Sequence, residues 1–550
     1  MSMTSIQRRQ VPISEALKIA LEHQRAHRIP QAEAIYRQVL AVEPRHPHAL
    51  HLLGLIAYQA GDMDEARALI GQAIAVRADV PDFHANLGEA WRAAGEPERA
   101  IACYQEALRL APDLPEIRLN LANALVDAGR EAEAEEQYRQ AGTGAGNDAE
   151  AIHRMADGIE RMNRLQGARL LTNVGLEIAP DHAGLNLVAA RLDRREGAIQ
   201  EGIARLHRFV ATPLDLKTAI ERDTELGRLH DQAGEIDEAF RMFEAAGRDK
   251  AEMFRAKGIT KDLALGEIAD METALTPAGL ASWGEGVNEN FERPAPVFLV
   301  GFPRSGTTLM EQILASHSAI TTLEEKPVAE MLARIVGERY GGYPGALAGL
   351  SPQDILALRR HYFQAVDSLI RVAPGQTFID KFPLNLVRLP LLARIFPDAR
   401  YILALRHPAD VVLSGFMQNF NPNSAMANFC TLEDAARFYD RVMGLWRRCT
   451  EVLPIAYHAV KYEDMVEDFD GEVKRLLDFL DLPWEDGVRQ YQQTSRKGKV
   501  INTPSYHQVA EPIYRRAKER WRRYEPHLRP MAPILAPWVA YFGYADAAAG

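Results

Sequence analysis

The stretch Val297–Leu314, VFLVGFPRSGTTLMEQIL, decides the fold of the second half of the chain. VFLVG has the apolar density of a strand buried on both faces of a parallel sheet. FPRSGTT is a tight, glycine-bearing turn, and LMEQIL continues at helical spacing. A strand, turn and helix in this order aim backbone N–H groups and the positive end of a helix dipole at an anion. Inside the turn, Arg304 offers a planar guanidinium whose fork suits the oxyanions of a phosphate or sulfate. The candidate anion-binding set is therefore Arg304, Ser305, Gly306, Thr307 and Thr308. The competing reading is a glycine-rich turn with no ligand.

Gly301 and Gly306 have the spacing of the nucleotide-triphosphatase loop G-x-x-x-x-G-K-[ST], and Thr308 takes its hydroxyl position. The lysine position is Thr307, so the point charge that clamps β,γ-phosphates is missing. A second apolar run lies in ARYILALRHPADVVLSGF, Ala399–Phe416, with Arg406 ending the strand and Ser414 eight residues later. In an open α/β sheet the carboxyl ends of strands and the helices after them line the ligand crevice. A guanidinium and a hydroxyl placed there suit a second phosphate.

The first half reads differently. A triplet of small positions recurs as Gly54, Gly61, Ala66, then Gly88, Gly95, Ala100, then Ala122, Gly129, Ala134, at intervals of 34 residues. Stepping back gives Ala20, His27, Ala32. Stepping forward gives Ala156, Asn163, Ala168, then Ala190, Gly197, Gly202, and after a three-residue slip Gly227, Gly234, Ala239. The outer positions are small where two helices cross, and the middle one is a turn that takes the left-handed conformation cheaply at Gly or Asn. His27 suits that role less well, so the first unit reads as an atypical cap. This pattern resembles the tetratricopeptide repeat. The resemblance implies a solenoid of about seven helix pairs over residues 14–249 whose concave surface binds peptide segments. A structural spacer or dimerisation arm is the competing reading. The triplet then stops. Residues 250–293 read as a helical connector, 294–530 as the α/β domain and 531–550 as a C-terminal tail.

Composition narrows the classes. A net charge of −11 argues against a bulk nucleic-acid binder. Three cysteines, Cys103, Cys430 and Cys449, are too few for a disulfide framework and lack zinc-ligand spacing. MSMTSIQRRQVPISEAL has no apolar core of signal-peptide length. The apolar segment Ala532–Tyr544 is too short to span a bilayer and contains Pro537. A soluble chain of the reducing cytoplasm, without a membrane span or a metal site, is expected.

PRSGTTL, followed by a strand ending in Arg406 and then Ser414, resembles the sulfotransferase family, whose donor is 3′-phosphoadenosine 5′-phosphosulfate (PAPS). ILASHSAITTLEEKP makes residues 295–530 similar to the tyrosylprotein sulfotransferases. The resemblance implies an α/β, P-loop-like domain with a mainly parallel sheet. It implies that Arg304 to Thr308 hold the 5′-phosphosulfate and that Arg406 and Ser414 hold the 3′-phosphate. It implies a catalytic base at Glu325 and, in FIDKFPLNL, a lysine for the bridging oxygen at Lys381. It also implies a nucleotide-contacting Tyr462 in VKYEDMV, a Ser505 in INTPSYHQV near the phosphosulfate, and a basic Arg520 in KERWRRY.

Such an enzyme is a PAPS-dependent sulfotransferase that needs no metal, because a sulfuryl group carries less charge than a terminal phosphoryl group. The leading acceptor is a peptide or protein tyrosine, bound or oriented by the repeats. Saccharide, lipid and small-molecule acceptors are alternatives. A P-loop kinase or triphosphatase, and a repeat scaffold without catalysis, are the rival classes. Glu324 and Glu325 have a competing reading as a solvated pair at a helix start, Lys381 as an ion-pair partner of Asp380 or a surface carboxylate, and Tyr462 as core. His317 reads as a packed or capping histidine.

Overall fold

The computed structural model describes residues 11–26, 28–210, 212–275, 280, 283, 293–491 and 518–544. His27 and Ser505 lie outside the described residues. By the density of internal packing the chain divides into two units. One runs to Val188 and includes Asp367–Arg371; the other comprises Ala189–Val366 and the chain from Val372 on.

Helices come in pairs through the first half. They are α1 Ile13–Arg25 and α2 Ile29–Val42, α3 Pro47–Gln59 and α4 Met63–Val76, α5 Pro81–Ala93 and α6 Pro97–Leu110, and α7 Pro115–Asp127 and α8 Glu131–Gly144. Then follow α9 Ala149–Arg161 and α10 Leu165–Ile178, α11 Ala183–Glu196 and α12 Ile199–His207, and α13 Leu216–Ala233 and α14 Ile236–Ala256. The turns inside the pairs are left-handed at Gly61, Gly95, Gly129, Asn163, Gly197 and Gly234, with φ between 62° and 84°. Pro47, Pro81, Pro97 and Pro115 open helices, where a missing N–H forfeits no bond. The small outer positions sit where helices touch. A Cβ added at Gly88 would lie 2.7 Å from the Tyr104 ring. Overpacking of that kind costs about 1–3 kcal/mol.

The last pair, α13 and α14, belongs to the same unit as the sheet. Lys250 lies on α14, and a further helix, α15, covers Asp262–Ala274, so residues 250–256 and 262–274 are helical.

The sheet has five parallel strands in the order β2-β3-β1-β4-β5: β1 Val297–Gly301, β2 Ile320–Glu324, β3 Thr377–Lys381, β4 Arg400–Leu405 and β5 Ala456–Lys461. Apolar side chains alternate across it. Leu299, Ile379 and Ile402 pack against Met310, Ile313 and Leu314 of the helix Thr307–Ala315. On the other face, Phe298 stacks on Tyr401 and meets Tyr362 and Phe396. Residues 531–544 include a helix, Ala532–Tyr541. Its Trp538 is buried and donates its indole N–H to Asp440. Among the described residues no helix is long and apolar enough to cross a membrane.

Candidate active site

All five strands run parallel, so their carboxyl ends share one edge, and the chain leaves that edge through the residues singled out by the sequence. β2 ends in Glu324 and Glu325, β3 in Lys381, β1 in the anion loop, β4 in Arg406 and β5 in Tyr462.

The loop is built for close backbone approach. Gly306 caps the helix Thr307–Ala315 at φ 101°. A Cβ there would meet Tyr462 at 3.2 Å, and one at Gly301 would lie 2.6 Å from Ser305 Oγ and 2.8 Å from the Ala404 carbonyl. Arg304 also has φ 78°, a conformation a non-glycine residue adopts only when its surroundings impose it. Thr307 and Thr308 are buried in the first turn, where N–H groups have no intrahelical acceptor. Ser305 Oγ is buried with no hydrogen-bond partner among the described residues.

On the β4 side, Arg304 Nε donates to Ser414 Oγ at 3.2 Å. Ser414 lies on the helix Pro408–Phe416 directly after Arg406. Arg406 sits 5.0 Å over the Tyr462 ring and 3.7 Å from the Asp410 carboxylate. Burial pushes the Asp410 carboxyl up, against the pull of Arg406 and of the Trp521 N–H that it accepts at 2.8 Å.

On the β3 side, Lys381 is fully buried. Its Nζ lies 2.9 Å from Glu325, 3.4 Å from Glu324 and 3.6 Å from Glu311. The parallel register places Glu324 beside Lys381. Burial alone would lower the lysine's pKa, but the carboxylates of Glu311, Glu325 and Glu324 outweigh it and hold the pKa above its ordinary value. Glu325, at φ 43°, is a second strained residue at this edge, and its N–H bonds to the Lys381 carbonyl at 2.8 Å.

The structure thus brings together Arg304, Ser305, Gly306, Thr307, Thr308, Arg406, Ser414 and Tyr462 around the loop, with Glu325 and Lys381 beside it. Lys381 pairs with the three glutamates, not with its neighbour Asp380, whose carboxylate accepts the Tyr362 hydroxyl at 2.6 Å. Arg520 pairs instead with Asp231 of α13 at 2.9 Å. His317 is packed: its Nε2 contacts the Pro483 carbonyl and its Nδ1 accepts the Ala319 N–H. Two residues escaped the sequence reading. Glu311 stands on the loop's own helix beside buried Met310, and a carboxylate at that position was the available signal. Asp410 opens the helix after Arg406 and looks like an ordinary first-turn acid. No cluster of three or more His, Cys, Asp or Glu side chains suited to a metal occurs among the described residues.

Residues 296–486 match the sulfotransferase family model, and residues 17–82 and 89–129 match tetratricopeptide-repeat models. An uncharacterised protein of Aquifex aeolicus is 31% identical over 251 residues, 44% of this chain and 32% of that protein. Protein-tyrosine sulfotransferase 1 of Danio rerio is 28% identical over 259 residues, 45% of this chain and 72% of that protein. The match thus spans about a third of the Aquifex protein. Among solved structures, the sulfotransferase domain of the Synechococcus PCC 7002 olefin synthase aligns at 22% identity and a TM-score of 0.30. It covers 44% of this chain and 90% of that one. The chain combines tetratricopeptide repeats with a sulfotransferase domain.

Proposed function

We propose that the sheet-bearing unit moves a sulfuryl group from PAPS to an acceptor hydroxyl, with peptide or protein tyrosine as the acceptor and the repeats binding or orienting it. The observation that carries this reading is the order of groups along the strand ends: carboxylate, lysine, anion loop, arginine with serine, tyrosine. Neighbouring strands lie about 4.8 Å apart. Base, leaving-group cation and two anion clamps therefore follow one another on adjacent strand ends, the order a donor with phosphates on both sides of its ribose calls for.

The residues present fit that donor. The Ser305 hydroxyl, unpartnered among the described residues, the first N–H groups of the helix Thr307–Ala315 and Arg304 suit the 5′ end; Arg406 and Ser414 suit a 3′-phosphate. The Tyr462 ring, against both Gly306 and Arg406, closes the space between them. PAPS supplies the sulfuryl group and a phosphate leaving group. A carboxylate oxygen of Glu325 takes the acceptor's proton. That protonation weakens the Glu325–Lys381 pair and frees the ammonium for charge growing on the bridging oxygen. Glu311 and Glu324 meanwhile keep Lys381 charged. The animal protein-tyrosine sulfotransferase match supports tyrosine as acceptor. All three cysteines are free thiols, which supports a cytoplasmic setting.

The test is to offer sulfur-labelled PAPS together with a tyrosine peptide, a simple phenol and a saccharide. Label on the peptide tyrosine is the expected result. Label on the saccharide alone would replace the acceptor, and no transfer to any hydroxyl by folded protein would remove the transferase reading.

A further inference from the structure

Asp231, near the end of α13, is buried and gathers four bonds from one short stretch. Its carboxylate accepts the Tyr524 hydroxyl at 2.7 Å and pairs with Arg520 at 2.9 Å and Arg523 at 3.5 Å. Its carbonyl accepts a further N–H of Arg523 at 2.7 Å. The stretch so held clamps the start of the helix Pro408–Phe416. The Trp521 N–H donates to Asp410, and the Trp521 ring lies flat on His407 at 4.8 Å and 5°.

The other end of that helix is held from α14. The buried Lys250 ammonium donates to the carbonyls of Gln418 at 2.9 Å and Phe416 at 3.3 Å. Phe416 ends the helix, where carbonyls lack intrahelical donors and carry the negative end of the dipole, and Gln418 lies two residues beyond it. Burial pulls Lys250 down to about 8, so it still carries its proton at neutral pH. Beside it, Gly247 lies so close to the Cys430 carbonyl that an added Cβ would stand 2.3 Å away. One helix is thus fixed at both ends by the last repeat pair, and that helix carries Ser414 and follows Arg406 directly.

We propose that Asp231 and Lys250 are positioning residues for the 3′-phosphate clamp, so that α13 and α14 set donor affinity as part of the donor site's frame. The inference rests on the PAPS reading of Arg406 and Ser414. Neither residue touches the donor; both act by fixing where Arg406 and Ser414 stand. A helix pair that continues the repeat pattern therefore doubles as a wall of the transferase unit.

The experiment measures, by calorimetry on the full chain, the affinities of 3′,5′-adenosine bisphosphate and of adenosine 5′-monophosphate. Asp231→Asn and Lys250→Met are each expected to lose about tenfold in bisphosphate affinity, the order set by charge-assisted hydrogen bonds, and less than about threefold for the monophosphate. Tyr524→Phe removes one hydroxyl and keeps the packing, so it decides the matter if the other variants do not fold. It should lose bisphosphate affinity in the same direction by a smaller factor. Folded variants that keep the wild-type preference, or lose both ligands equally, overturn the positioning role. A wild-type chain that binds the bisphosphate no better than the monophosphate instead overturns the donor reading on which the role rests.

Discussion

The two flanks of β1 carry different inventories of charge. Toward β3 and β2, the carboxylates of Glu311, Glu324 and Glu325 surround the single ammonium of Lys381. Toward β4 and β5, the guanidiniums of Arg304 and Arg406 stand with Ser414, with Asp410 3.7 Å from Arg406 and Glu463 accepting the His407 N–H. On the proposed reading the difference separates two tasks. A proton can move on the first flank because each charge there depends on its neighbour. The second flank supplies fixed cations, which bind an anion without changing state.

The largest expected effect breaks the first flank. Glu325→Gln should lower turnover about a hundredfold to ten-thousandfold, the range for a general base, while donor affinity stays near wild type. Unchanged turnover in a folded variant would put the base elsewhere. Arg406→Ala should act on the other flank, weakening bisphosphate binding about tenfold to a hundredfold at an intact maximal rate. Equal weakening for a nucleotide lacking the 3′-phosphate would sink that assignment.

A smaller effect sharpens the hinge between the flanks. Gly306→Ala forces a side chain into φ 101° and toward Tyr462. A loss of roughly 1–2 kcal/mol in denaturant unfolding is expected from the left-handed backbone alone. No loss would mean the loop does not need that backbone.

A further effect is read against pH and concerns Asp380, on the face of β3 away from the lysine cluster. Burial pushes its carboxyl up to about 7 from an ordinary 3.8, against the Tyr362 hydroxyl and Lys381, which lower it. Between those values only the folded chain holds the proton, so the contribution is complete below 3.8 and is lost as pH rises through 7. Asp380→Asn should therefore gain thermal stability relative to wild type as pH rises from 4 to 7. A difference that is flat with pH would refute the raised value.

What was legible in the sequence was local. The left-handed turns at Gly61, Gly95, Gly129, Asn163, Gly197 and Gly234 depend on their own φ and appear as a period. The strand–turn–helix around Gly306 is equally local, and the strand-end residues follow from parallel topology once the strands are found. What was hidden depends on register and distance. Glu311 meets Lys381 only because the helix after β1 lies over β3, 70 residues on, and no short pattern encodes that. Arg520 pairs with Asp231, 289 positions earlier, and no local pattern encodes that pair. The repeat pattern also runs on through α13 and α14 although the packing assigns that pair to the sheet's unit, because a period reports helix pairing and not which neighbour a pair packs on.

The most direct measurement is unfolding of the full chain with 3′,5′-adenosine bisphosphate against ATP with magnesium. At about a hundred times its dissociation constant a ligand adds about 2.7 kcal/mol to the unit that binds it. A shift with the bisphosphate and none with magnesium ATP is the predicted result. The reverse would make the loop a triphosphate site and contradict the assignment of Arg406 and Ser414 to a 3′-phosphate.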